Sequence, residues 1–400
     1  MVERNLAKVD VVGSNPIIRF TKAPQMRGFF VYLNRHMEEN PAYLSTQLIT
    51  YLGNKRRLLP LIGKGVAEVQ KRLGKERLRA FDAFAGSGVV SRYLKRYCSQ
   101  LYSNDLEAYS AVLNRCYLTN ASDIKSLALP PLHREVLQKI EQNWAPGLIA
   151  ELYAPQNDDE IRPGERVFYT RRNAIFLDSA RRAIDSLPPQ LQHFFLAPLL
   201  CEASVHTNTS GIFKGFYKNS AGIGQFGGNG RNALQRILAD ISLPLPIFSR
   251  FDCECHVLQQ DATAAAADLP ELDVAYLDPP YNQHPYASNY FMLNFILDYK
   301  RPQSMSTVSG IPQGWNHSPY NSRKQVAGAL QELLQRLPCR FVLLSYNSEG
   351  FISPAEMEQL LRNEWHIEIM QQDYATFRGC RNLRNRALKV KEFLYLLERR

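Results

Sequence analysis

Residues 272–282 (LDVAYLDPPYN) combine the residue types with the most specific chemistry in the chain. The apolar residues predict a buried strand, and Asp278 follows at its carboxyl end, where open α/β sheets bind their ligands. Pro279 and Pro280 lack N–H donors but keep their carbonyls, so Asp278 and the Pro279 carbonyl form a rigid pair of acceptors. Beside the ring of Tyr281, this pair suits a planar base that bears an amino group. The alternative is a strand that simply ends in a Pro-Pro turn.

A second motif, residues 81–90 (FDAFAGSGVV), predicts a ligand-binding turn. Gly86 and Gly88 permit close approach of the backbone to a ligand ahead of a helix N-terminus. The dinucleotide fingerprint is only partial, because Ser91 stands where its third glycine would be. Asp105, 17 residues after Gly88, ends the next predicted strand, where a carboxylate can hold ribose hydroxyls. These features alone fit NAD, FAD and S-adenosylmethionine equally well.

The elements that must position these motifs form an α/β layer in two parts. Residues 46–120 alternate strand, glycine turn, helix, strand and helix, and residues 251–400 resume that pattern and end in a last strand or hairpin arm. Residues 121–250 interrupt it with proline-punctuated helices and a glycine-rich loop, which predicts an inserted, mainly helical domain. Residues 1–45 are an N-terminal extension. We therefore predict an α/β fold with a doubly wound, Rossmann-like sheet and one insertion.

Composition and charge narrow the class of protein. The 400 residues are 45% hydrophobic, which excludes a disordered or collagen-like chain. A net charge of +10 favours a polyanionic partner. No apolar run approaches the ~20 residues that span a bilayer, and the N-terminus lacks a signal peptide's apolar core, so we expect a cytoplasmic protein without a membrane partner. Cys253, Cys255 and His256 lack a second ligand pair at zinc spacing, so we expect no metal.

Together the motifs resemble those of DNA N6-adenine methyltransferases of the D12 (Dam-like) class. The resemblance rests on TYLGNKRRLLPLI at 50–62, FDAFAGSG at 81–88, SND at 103–105 and DPPYN at 278–282. It also rests on their α-type order, with about 130 residues inserted where a target-recognition domain would lie. It implies a Rossmann-like methyltransferase sheet, S-adenosylmethionine as cofactor and double-stranded DNA as substrate. The enzyme would be either the modification half of a restriction system, with a cognate endonuclease as partner, or a solitary methylase.

The resemblance also implies which residues hold the cofactor. Lys55 would meet the methionine carboxylate, Asp82 the ammonium or sulfonium, and Asp105 the ribose. Asp261 would accept from the cofactor's adenine. Simpler interpretations are a solvated Lys55, an Asp82 that caps the strand turn and an Asp261 that is an ordinary helix N-cap. The full set is Tyr51, Gly53, Lys55, Asp82, Phe84, Gly86, Gly88, Asp105, Asp261 and Ala262. The chain departs from the family in reading Tyr-Leu-Gly-Asn-Lys where relatives often have Gly-Gly-Lys.

The catalytic roles follow from the same resemblance and fall on Asp278, Pro279, Pro280 and Tyr281. Hydrogen bonds from N6 to Asp278 and to the Pro279 carbonyl would favour a pyramidal nitrogen whose lone pair faces the methyl group. The base must first be flipped out of the duplex, and Tyr281 would stack on it. Such a reaction needs no metal and no covalent enzyme intermediate.

Three segments are candidate DNA contacts, although the first could equally be a mobile loop with incidental aromatics. They are the glycine-rich loop with Lys214, Tyr217 and Lys218, the run after the catalytic motif with His284, Tyr286 and Asn289, and a basic run with Arg378, Arg381 and Arg384. Two other functions stay open. An RNA base methyltransferase could use the same catalytic motif, and a non-catalytic DNA-binding regulator could keep the same fold.

Overall fold

The computed structural model of the protein describes residues 39–375 and 389–400. The described residues belong to one compact unit, residues 39–400. Most of the predicted N-terminal extension therefore lies outside the described residues. Within the described part of the chain, no helix is long and apolar enough to cross a membrane.

The described residues form a seven-stranded sheet in the order β3-β2-β1-β4-β5-β7-β6. Strands β1 to β5 run parallel, and β7 runs antiparallel to both β5 and β6. The strand order reverses between β1 and β4, which confirms the predicted doubly wound sheet and its last, hairpin-like strand. The strands are β1 Leu78–Asp82, β2 Cys98–Asn104, β3 Glu254–Leu258, β4 Leu272–Leu277, β5 Cys339–Asn347, β6 Trp365–Ala375 and β7 Lys389–Arg399.

Helices connect the strands and fill the insertion. The first are α1 Pro41–Ser45, α2 Leu59–Leu73, α3 Val89–Leu94, α4 Ala108–Tyr117 and α5 Ala121–Ile124. Then come α6 Leu129–Gln142, α7 Leu148–Tyr153, α8 Arg171–Asp185, α9 Pro189–Val205 and α10 Leu234–Leu238. The last are α11 Ala262–Ala267, α12 Tyr286–Asn289, α13 Phe291–Asp298, α14 Val326–Arg336 and α15 Pro354–Leu361. Short 3-10 turns cover Lys55–Leu58, Lys95–Tyr97 and Pro319–Asn321.

Two apolar clusters bury the faces of the sheet. On one face α2 packs Val66 and Val69 against strand residues such as Leu343. On the other face α11, α14 and α15 cover a second set, which includes Leu330 and Leu277. Covering both faces explains why β4 is buried along its whole length. The polar residues that follow the strands therefore lie at the carboxyl ends of the sheet, where the site is found.

A third cluster joins the insertion to the sheet. Residues 121–250 are all described and contain helices but no strand of the sheet. Helix α9 is apolar around most of its circumference, and it packs among α6 to α8 of the insertion and against α4 and α13. The insertion therefore shares its core with helices that flank the site. Its status as a separate recognition domain stays a prediction.

Candidate functional site

A cavity opens at the carboxyl ends of β1, β2 and β4. Most of the predicted cofactor residues line it, together with Asp278 and Pro280 from the segment after β4. They are Tyr51, Gly53, Lys55, Phe84, Gly86, Asp105, Asp261 and Ala262. The carboxyl ends of the strands, where the strand order reverses, are where doubly wound folds bind ligands.

The glycine turn after β1 forms one wall. Gly86 has φ +53°, and a Cβ there would lie 2.7 Å from a ring carbon of Tyr51. The Gly86 N–H donates to Asp105 Oδ2 at 2.7 Å. The Tyr51 ring stacks on Tyr286 and Tyr290, with centroids 5.0 and 4.8 Å apart. A positive φ and a close ring together require glycine at this position, so the turn is fixed before any ligand binds.

Sequence reasoning missed a second carboxylate beside Asp105. Glu107 is buried, lines the cavity and accepts from Asn294 Nδ2 at 2.6 Å. Burial raises the pKa of Glu107 to about 7, and the Asn294 amide only partly opposes this shift. Burial likewise raises the pKa of Asp105 above its ordinary value. The signal available in the sequence was a second acid two residues after Asp105, at the end of the same strand.

Asp261 is a helix N-cap that also lines the cavity. Its Oδ1 accepts from the backbone N–H groups of Thr263 and Ala264 at 2.9 and 3.2 Å, which makes it the N-cap of α11. The residue also lines the cavity. A capped helix start therefore fixes the carboxylate at the cavity wall.

Lys55 and Asp278 form the charged centre of the site. The Lys55 ammonium lies 3.1 Å from Asp278 Oδ1 and 3.5 Å from Glu392 Oε2. Burial lowers the pKa of Lys55, but Asp278, Tyr281 and Glu392 outweigh it and raise this pKa well above its ordinary value. Burial raises the pKa of Asp278 to about 6, although Lys55 opposes the shift. At neutral pH both groups are therefore charged.

This arrangement decides between a buried and a solvated Lys55. Only 2% of the residue is exposed, so it is not a solvated lysine. Its ammonium contacts the carboxylates of Asp278 and Glu392, and its contact with a methionine carboxylate stays a prediction. Glu392 was missed by sequence reasoning; the available signal was an acid directly before the apolar run FLYLL of the last predicted strand.

Three further positions differ from expectation. Asp82 is 0% exposed and does not line the cavity, since its Oδ2 accepts from Ser91 Oγ at 2.6 Å behind the wall. Gly88 is also absent from the lining, and a Cβ there would lie 2.6 Å from Asn114 Oδ1. Asn289 is 1% exposed, so it does not offer its side chain to DNA in this structure. These contacts support the turn, and direct cofactor contact by Asp82 and Gly88 stays a prediction.

The other residues that we predict to act in catalysis or in DNA contact lie in different environments. Pro279 is buried, while Tyr281 is half-buried with its ring 5.5 Å from the Lys55 ammonium. Tyr286 lies in the cavity wall, and its hydroxyl donates to the Leu52 carbonyl at 3.1 Å. His284 is exposed. Arg378, Arg381 and Arg384 lie outside the described residues.

The glycine-rich loop, residues 208–228, lies beside the site. Lys214 and Lys218 are exposed, and Tyr217 is half-buried. The Phe213 N–H donates to the Asn289 carbonyl at 2.7 Å, which joins the loop to α12 after the catalytic motif. This hydrogen bond places Phe213, the residue before Lys214, against the helix that follows the catalytic motif.

Candidate metal ligands do not cluster in this part of the protein. The described residues contain no group of three or more His, Cys, Asp or Glu side chains that could hold a metal ion. The expectation of a metal-free enzyme stays a prediction.

Comparison with known proteins agrees with these features. The model of the D12 class of N6 adenine-specific DNA methyltransferases matches residues 51–359. Type II methyltransferase M.NlaIII of Neisseria lactamica is 27% identical over 362 residues, covering 88% of this chain and 99% of the relative. Type II methyltransferase M.CviAII of Paramecium bursaria Chlorella virus 1 is 27% identical over 338 residues, covering 83% and 93%. Modification methylase StsI of Streptococcus sanguinis is 27% identical, but the match covers only 52% of that longer protein. The chain belongs to the D12 class of N6 adenine-specific DNA methyltransferases.

Proposed function

We propose that this methyltransferase moves the methyl group of S-adenosylmethionine to N6 of an adenine flipped out of duplex DNA. Asp278 carries the proposal: it is an anion at the cavity wall, directly after a buried strand, in a segment stiffened by two prolines. Because the relatives are type II methyltransferases and a modification methylase, we place the enzyme in a restriction-modification system with a cognate endonuclease. A substrate in the cell's own DNA is consistent with the expected cytoplasmic location.

The cavity fits the proposed cofactor. S-adenosylmethionine supplies an electrophilic methyl group on a sulfonium centre. The lining offers a glycine cradle at Gly86 and three carboxylates, Asp105, Glu107 and Asp261, while its lysine is already paired. Tyr51 and Phe84 add aromatic walls. A cavity rich in carboxylates favours a cationic ligand, because opposite charges attract strongly where water is excluded.

The chain's own residues would then orient the target nitrogen. The Asp278 carboxylate and the Pro279 carbonyl accept hydrogen bonds from the N6 amino group. These bonds direct the lone pair of N6 towards the methyl group. Lys55 holds Asp278 in place, and Tyr281 offers a ring beside it. After transfer Asp278 accepts the proton that N6 loses, which suits a carboxyl whose pKa is about 6.

Basic residues around the site would contact the duplex. The exposed lysines of the glycine-rich loop, residues 208–228, would bind backbone phosphates. His284 and the predicted Arg378, Arg381 and Arg384 would add to them, and residues 121–250 would read the target sequence. The shared core of that insertion with α13 is consistent with recognition close to the catalytic segment.

Replacing Asp278 by alanine tests the proposal. The variant loses one of two acceptors for N6, so transfer should fall by about 4 kcal/mol of transition-state stabilisation, on the order of a thousandfold. Transfer of labelled methyl groups to matched DNA and RNA duplexes would be measured, with cofactor and DNA affinity followed by calorimetry. Binding should survive, because the glycine cradle is untouched.

Asp268→Ala, an exposed acid at the end of α11, is the matched control and should transfer at the wild-type rate. A near-normal rate in Asp278→Ala would remove the assignment of the catalytic motif. Methylation of RNA alone would favour the RNA enzyme, and specific DNA binding by the wild type without any transfer would favour the regulator.

A further inference from the structure

Glu392 is a buried acid at the catalytic edge of the sheet. Strand β7 runs antiparallel to its neighbours, so its first residues lie where the parallel strands end, and Glu392 stands opposite Asn347 at the end of β5. Only 3% of the residue is exposed, and it stands between the buried Val390 and Leu394. Burying a carboxylate costs several kcal/mol unless a cation pairs with it.

That cation is Lys55, which Glu392 shares with Asp278. The single ammonium lies 3.5 Å from Glu392 Oε2 and 3.1 Å from Asp278 Oδ1. A one-to-one pair with Lys55 would neutralise Asp278. With Glu392 present, two carboxylates divide one positive charge, and the cluster keeps an excess of negative charge next to the cavity.

We infer that Glu392 is a positioning residue for methyl transfer: it contacts the Lys55 ammonium together with Asp278, and its negative charge makes Asp278 a stronger acceptor for the N6 proton. The inference rests on the proposed function. In that step the bond from N6 to the methyl carbon forms as the sulfonium–methyl bond breaks, and positive charge develops on N6. One proton then passes from N6 to the Asp278 carboxylate. Excess negative charge in the cluster favours both events.

The charges around Asp278 agree in sign with this role. Burial raises the pKa of Asp278 and Glu392 raises it further, while Lys55 lowers it, with a result of about 6. Removing Glu392 would therefore lower this pKa. The titratable groups that face Asp278 are Lys55 from the 3-10 turn, Glu392 from β7, Tyr276 from β4, Asp82 from β1, Tyr281 from its own loop and Tyr286 from α12.

Glu392→Gln tests the inference, because it removes the charge and keeps the shape. We expect kcat to fall about tenfold with unchanged KM for cofactor and DNA, and the acid limb of the kcat profile to move down by about one pH unit. A readout without turnover is the Asp278 carboxyl ¹³C NMR titration in cofactor-free protein, which should shift by the same amount. Glu398→Gln, on the same strand but paired with Arg72 and Arg340, should leave both measurements unchanged.

The outcomes separate this inference from the proposed function. A wild-type acid limb and an unshifted Asp278 titration in Glu392→Gln would overturn the role of Glu392 while the enzyme still methylates adenine. Failure of the wild type to methylate would overturn the function instead. If Glu392→Gln does not fold, Glu392→Asp decides: its shorter side chain should lower kcat at unchanged KM, and a wild-type kcat would overturn the inference.

Discussion

At the scale of single residues, the buried Lys55 ammonium contacts two carboxylates, Asp278 and Glu392, that lie far from it in the sequence. The motif around Lys55 indicated a functional lysine, but the residue that shares its charge, Glu392, lies 337 positions away. No local sequence pattern predicts which strands are neighbours in a sheet, so the pairing of β7 with β5 could not be predicted. Asp82 shows the same limit, because the sequence does not reveal whether a side chain at the end of a strand lines the cavity or lies behind its wall.

Lys55→Ala should destabilise the protein, because it leaves Asp278 and Glu392 as buried carboxylates without their cation. Breaking a buried ion pair from one side costs about 3–5 kcal/mol. The free energy of unfolding would be measured by urea titration at pH 7. Lys64→Ala, an exposed lysine of α2, is the control and should change little. Equal midpoints for the two variants would mean that the buried pair contributes no net stability.

At the scale of elements, the helices and strands followed their apolar patterns, and the loops did not follow their composition. Glycines and aromatics allowed a mobile loop over residues 208–228, yet the loop is tied at both ends by one side chain. Asn208 Nδ2 donates to the carbonyls of Val167 and Gln225 at 2.8 and 3.2 Å, and its Oδ1 accepts from the Gly227 N–H at 2.9 Å. Such an anchor depends on chain folded elsewhere, so composition could not reveal it.

Asn208→Ala should release the loop without unfolding the sheet. Each buried backbone group that loses its partner costs about 1–3 kcal/mol, and these costs are confined to the loop. Hydrogen exchange over residues 211–228 should speed up, duplex affinity should fall and cofactor affinity should hold. Asn143→Ala, at the exposed end of α6, is the matched control. Unchanged exchange in Asn208→Ala would show that other contacts order the loop.

At the scale of the whole molecule, the order of the motifs predicted the sheet better than it predicted the insertion. Two cofactor motifs followed by the catalytic strand fix β1, β2 and β4 as neighbours in a doubly wound sheet, as observed. The insertion was expected as a separate block, and the structure joins it to α4 and α13 through one core. A sequence reveals which face of a helix is apolar. It does not reveal which distant helix will pack against that face.

The buried carboxyl groups give the whole molecule a pH dependence that can be predicted with its sign. Burial raises the pKa values of Asp82 and Glu107 to about 7 and that of Asp278 to about 6. In the unfolded chain these groups titrate near pH 4. Between about pH 4 and 7 the folded state therefore binds more protons than the unfolded state, and stability falls as pH rises. The free energy of unfolding should be higher at pH 5 than at pH 8.

Asp82→Asn isolates one part of this effect, because Asp82 is fully buried and does not line the cavity. About two pH units of its titration lie between pH 5 and pH 8, and each unit corresponds to about 1.4 kcal/mol. Between pH 5 and pH 8 the free energy of unfolding should therefore fall by about 2–3 kcal/mol less in the variant than in the wild type, because an amide does not ionise. Urea unfolding at both pH values measures the difference, with the exposed Glu135→Gln of α6 as control. If the free energy of unfolding changed with pH equally in the variant and the wild type, Asp82 would already be ionised at pH 5. Its surroundings would then stabilise the buried carboxylate.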